Sequence, residues 1–162
     1  EEMNMRITKY NIEVGKDCKA VLVKENSRNC TAVDNLNSPQ KVKTALDEVF
    51  RASYQAEEHV YLIALTTKCK PIGVFDVFHG SAQTCLMNTR EIFVRLCICG
   101  AVSFIVAHNH PSDDCTPSAD DIRSTSKLAS AANMMSIPLL DHIIISPKEM
   151  FSFKEHNMLP EQ

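Results

Sequence analysis

The chain predicts an α/β fold, a mixed sheet flanked by helices, on three observations. Apolar runs of strand length alternate with amphipathic runs of helix length, the pattern of a layered fold. The stripe Val42, Ala45, Leu46, Val49 and Phe50 keeps helical spacing behind a capping Ser38 and a Pro39 suited to the first helical position. The run Val102-Ser103-Phe104-Ile105-Val106-Ala107 reads as a buried strand.

Taken in order, residues 5–24 alternate weakly, through Ile7, Tyr10, Ile12 and Val14 and then Ala20-Val21-Leu22-Val23. Two short strands are expected there, as an edge hairpin. Residues 25–37 are polar and turn-rich, and the helix of 38–50 follows. Strands are expected near 59–66 and 71–79, joined by the polar turn Thr67-Lys68-Cys69-Lys70. A helix over 89–99 carries Ile92, Phe93 and Leu96 and leads into the buried strand, 101–107. A helix from 118 to 134 gathers Ile122, Leu128, Ala129 and Ala132 on one side, and strands at 139–145 and 150–154 close the domain. The expected organisation is a β extension over 1–37, a principal domain over 38–155 and a tail over 156–162.

Composition narrows the function classes. A hydrophobic fraction of 44% suffices for a real core, and no stretch approaches the ~20 apolar residues of a membrane span. The start Glu1-Glu2-Met3-Asn4-Met5 lacks signal-peptide character, so a cytoplasmic location is expected. Seven cysteines without regular spacing fit reduced thiols better than a disulfide framework. Cys97-Ile98-Cys99 lacks the two-residue spacer of a zinc knuckle or redox pair. A net charge of −3 is a poor electrostatic footprint for a nucleic-acid binder. The early cluster Arg6, Lys9, Lys16, Lys19, Lys24 and Arg28 reads as a solvated face.

The chemistry concentrates in His108-Asn109-His110-Pro111-Ser112, followed by Ser118 and Asp121. Residues i and i+2 of a strand point to one face, so His108 and His110 can converge on one ion. Asp121, at the start of the next helix, supplies a carboxylate. Two imidazoles and a carboxylate are ligands that zinc accepts, with a fourth position left for water or substrate. Ser118-Ala119-Asp120-Asp121 also fits a helix-capping box, and the two roles are compatible.

This constellation resembles the JAMM (MPN-type) metalloprotease motif, His-x-His, then Ser118, then Asp121. Ala107-His108-Asn109-His110-Pro111-Ser112, Thr116-Pro117-Ser118, Leu140-Asp141-His142-Ile143-Ile144-Ile145 and Arg90-Glu91-Ile92-Phe93 resemble the RadC branch of that family. The likeness covers roughly residues 38–155. It implies a JAB/MPN fold similar to that of cytidine deaminases. It also implies a Zn²⁺ cofactor on His108, His110 and Asp121, and hydrolysis of a peptide or isopeptide bond by a zinc-activated water. Glu58, ahead of Val60-Tyr61-Leu62-Ile63-Ala64-Leu65, matches the family's catalytic glutamate, with neighbouring Glu57 as the weaker match. Ser118 is implied as a donor to the developing oxyanion. His142 belongs to the RadC pattern, as a support behind the ligands, a substrate-facing group or a structural histidine. His59 and His79 read as structural and surface residues. The chain departs from the family at Asp113, where glycine is usual, and at Cys115, where proline is usual. Asp tolerates left-handed backbone better than most residues.

The competing reading is a RadC-like accessory protein linked to DNA repair, with a structural or vestigial metal. Residues 1–37 lack the helix-hairpin-helix pattern that often precedes the RadC domain. Any DNA binding is therefore expected to be weak, and the expected partner is a protein or peptide substrate.

Overall fold

In the computed structural model, which describes residues 4–80 and 87–160, seven strands form one mixed sheet in the order β2-β1-β4-β3-β5-β6-β7. The first hairpin pairs β1, Met5–Val14, with β2, Ala20–Cys30, and β1 joins the sheet in parallel beside β4, Pro71–Gly80. The expected N-terminal β segment therefore extends the main sheet. Residues 25–30, expected as turn-rich, continue β2 up to Cys30, opposite Met5. Their polar side chains stay in a strand because β1 supplies ladder partners along the whole length, while Met5, Ile7 and Cys30 are buried.

Helix α1, Pro39–Phe50, begins where the sequence indicates. The Ser38 hydroxyl accepts from Lys41 N–H, and Val42, Ala45, Leu46 and Val49 are buried. A single 3₁₀ turn, Ala52–Tyr54, then carries the chain to β3, Glu58–Leu65. Strand β3 lies antiparallel between β4 and β5, Ser103–Asn109. Beyond β4 comes α2, Thr89–Ile98. After β5 come α3, Ala119–Met135, then β6, Leu139–Ile145, parallel to β5, and the short β7, Met150–Ser152.

Period-two alternation divides the core into two layers. Tyr61, Ile63, Leu65, Val74, Ile105, Ala107, Ile143 and Ile145 pack with α1 on one face. Val60, Leu62, Ala64, Phe75, Phe104 and Val106 pack with α2 and α3 on the other. Every residue of β5 is buried, as the apolar run Phe104–Ala107 requires of a central strand covered on both faces. Phe104 has no exposed surface, so its truncation to alanine would cost about 3–5 kcal/mol. The sheet thus holds the end of β5 rigidly against the N-terminus of α3. No helix among the described residues is long and apolar enough to cross a membrane.

Candidate metal centre

His108 lies on the α3 side of β5, and His110 follows immediately after the strand, tied to β6 by its N–H to Ile145 O at 3.0 Å. Asp121 stands in the first turn of α3. His108, His110 and Asp121 each offer one ligand atom, and these atoms lie within 4.8 Å of one another. The two Nε2 atoms are 3.0 Å apart. Asp121 Oδ1 is 3.3 Å from His108 Nε2, and Oδ2 is 3.7 Å from His110 Nε2.

Hydrogen bonds behind the rings decide which atoms face the site. Thr125 Oγ1–H donates to Asp121 O at 2.6 Å, so its oxygen accepts from His142 Nδ1–H at 2.5 Å. His142 is fully buried, and burial together with the nearby His108 pushes its pKa well below the usual value. A neutral ring protonated on Nδ1 has a bare Nε2, which accepts from His108 Nδ1–H at 2.8 Å. His108 is left with an unprotonated Nε2. His110 reaches the same state more simply, because its Nδ1 is 2.7 Å from Asp114 O, and a carbonyl can only accept. Two imidazole lone pairs therefore face one another beside a carboxylate. That arrangement is repulsive until a cation or a proton enters.

The electrostatics agree. Burial opposes ionisation of Asp121, but His108, His110 and Ser118 outweigh it and hold the carboxyl well below its ordinary range. Burial likewise opposes a charge on His110, yet Asp121, Asp114 O and Glu58 raise its pKa. Once a metal displaces the proton that Asp121 favours on the pair, two neutral imidazoles and one anion complement a dication, and such donors suit zinc.

Ser118 is both cap and neighbour. Its hydroxyl and N–H donate to Asp121 Oδ2 at 2.7 and 2.8 Å, and Asp121 N–H returns a bond to Ser118 Oγ at 3.1 Å. The capping box is complete, so the helix start and the carboxylate orientation depend on the same bonds.

Glu58 opens β3. Val60 is opposite His108, so Glu58, two residues earlier, lies on the face that carries the histidines. Glu57 is exposed, with its carboxylate 3.5 Å from His79 Nδ1. Of the two glutamates, Glu58 is the one that strand register puts on the histidine face. His59 alternates to the other face, where Nδ1 is 2.8 Å from Asp76 Oδ2 and the ring stacks on Tyr61 and His79. Cys115 is buried with Ile144 and Phe153 and is no part of the three-ligand group. Asp113 adopts φ +64°, the left-handed conformation for which glycine is usual. The ion pair of its carboxylate with Lys148 at 2.6 Å holds the loop against the β6–β7 turn. Sequence reasoning missed Thr125 and Asn109. Thr125, one helical turn after Asp121, was detectable only by its spacing, and nothing in the polar letter Asn109 marked it out.

A three-layer α/β fold whose central strand presents a His-x-His pair to a helix-borne aspartate is the architecture of a JAB domain with a metal-competent site. The chain belongs to the RadC-like JAB domain family, whose model matches residues 36–158. It is similar to a UPF0758 protein of Clostridium perfringens, 41% identical over 125 residues, or 76% of this chain and 54% of that protein. A UPF0758 protein of Alkaliphilus oremlandii is 37% identical over 131 residues, 80% of this chain and 56% of that protein. The chain spans about half the length of the curated relatives it matches.

Proposed function

We propose that this domain is a zinc-dependent hydrolase of the JAMM type that cleaves a peptide or isopeptide bond. The observation that carries the reading is the enforced tautomer pair. Both Nδ1–H groups are committed outward, which leaves two Nε2 lone pairs 3.0 Å apart and an anionic oxygen 3.3 Å from one of them. A zinc ion on His108, His110 and Asp121 would supply Lewis-acid activation of water at neutral pH.

The remaining roles belong to the chain's own groups. Glu58, half-buried at the strand end on the histidine face, takes a proton from the nucleophile and returns it to the leaving amine. Ser118 offers its hydroxyl to the charge developing on the carbonyl oxygen. That donation requires the hydroxyl to turn from Asp121 Oδ2. The Ser118 N–H remains on Oδ2 when it does, so the aspartate keeps a donor.

Elemental analysis tests the reading. Wild type is expected to hold about one zinc per chain, the occupancy of a site with three protein ligands, and His108→Ala to lose most of it. Equal metal in the two proteins would place any site elsewhere.

A further inference from the structure

We propose that Asn109, the residue between the two histidines, is the positioning residue for Glu58; the inference rests on the catalytic reading of that glutamate. Asn109 has no exposed surface, and its side chain is spent on one short stretch of backbone. Oδ1 accepts from His59 N–H at 2.7 Å, and Nδ2 donates to Gln55 O at 3.2 Å and to Glu57 O at 2.9 Å. The three bonds bracket Glu58, one on the residue after it and two on the chain before it.

Glu58 needs such a clamp because it is the first residue of β3, the end at which a ladder frays. The alternation of β5 completes the argument. His108 points toward α3, and Asn109, one residue on, points to the opposite face, toward the segment that follows the 3₁₀ turn. A single buried strand therefore holds one ligand on one side and anchors the glutamate's backbone from the other. The chemistry selects the residue type. One acceptor and two donors on a short planar group are supplied by a carboxamide, whereas aspartate offers acceptors only and serine a single donor.

The test uses the isotope-labelled chain of residues 1–162 and Co²⁺ as a paramagnetic probe of the metal position. In wild type, the Glu58 side-chain resonances are expected to be strongly shifted and broadened by Co²⁺. Asn109→Asp is close in shape but removes both donors. It is expected to keep Co²⁺ binding and the shifts of Leu62 and Val106, while the Glu58 shifts collapse and amide exchange at residues 55–59 rises roughly tenfold or more. Unchanged Glu58 shifts beside faster exchange would make Asn109 a structural staple only and overturn the proposal. If wild type takes no Co²⁺ at His108, the metal reading fails instead. Contacts between the Glu58 side chain and the His110 ring in metal-free protein then decide the matter: lost in Asn109→Asp they support the proposal, kept they refute it. Should that variant not fold, Asn109→Ser and the wild-type carboxamide protons remain. Slow exchange of those protons supports the clamp, and free exchange overturns it.

Discussion

His142→Phe isolates what the buried relay contributes to metal binding. Phenylalanine is close in shape and preserves the stack on Phe153, whose ring centroid lies 4.6 Å from that of His142. It removes one acceptor and one donor. His108 Nδ1–H, in a residue only 3% exposed, is left without its partner, a loss worth about 1–3 kcal/mol. Thr125 loses an incoming bond but keeps its donation to Asp121 O, so its share is smaller. The sum is about 2 kcal/mol, or roughly 4–8 °C in the melting temperature of metal-free protein of this size. The ligand effect is separate. With Nδ1 unpartnered, the His108 ring can turn or change tautomer, and loss of such a support typically costs 10–100-fold in metal affinity. Calorimetric melting without metal, paired with zinc competition against a chromophoric chelator, reads both quantities. A melting shift of the expected size with unchanged zinc affinity would refute the relay argument, because stability would have fallen without loosening the ligand.

Three further outcomes are expected. Glu58→Gln should keep wild-type zinc content while turnover on a cleavable peptide or isopeptide falls by about 10²–10⁴; loss of zinc would make Glu58 a ligand instead. Glu48 collects bonds from the Cys30 thiol, from Thr31 and from Ala32 N–H, and its pKa is lowered from 4.5 to about 2. A depressed carboxyl stabilises fully above its unfolded value and loses that contribution as pH falls through its folded one. Glu48→Gln should therefore lower stability at neutral pH by less than about 1 kcal/mol, since the group is solvent-screened, and flatten the acid arm between 4.5 and 2; an unchanged acid arm in denaturant titrations would count against it. The domain's net charge of −3 predicts weak, salt-sensitive DNA binding, and nanomolar affinity at physiological salt in a fluorescence titration would contradict it.

The parts of the fold legible in sequence were those where local pattern and tertiary environment agree. Strand β5 carries no polar side chain from Phe104 to Ala107, and α1 has cap, Pro39 and stripe in register, so each could be read from a short window. The second half of β2 could not, because Glu25 to Asn29 look like a turn until the whole length of β1 is available to pair them. The grouping of His108, His110 and Asp121 was legible because strand and helix periodicity bring them together. The supports were not, since Thr125 and Asn109 act through partners distant in sequence: His142, His59 and the carbonyls of Gln55 and Glu57. The preference for Glu58 over Glu57 came from the resemblance, and the pairing of Val60 with His108 puts Glu58 on the histidine face.

The three members of the candidate metal group also differ in how they are held. His108 and His110 are carried by the central sheet, whereas Asp121 arrives through the loop of residues 111–117, where Pro111, Ser112, Asp114 and Thr116 are exposed. An ion bridging the two sides would close that loop covalently in all but name, as a cross-link does, and remove freedom from the opened state. Loading with zinc should then shield this one stretch from proteolytic nicking and leave the sheet's slow amide exchange nearly unchanged. Limited digestion with and without chelator would report site occupancy without any knowledge of the substrate.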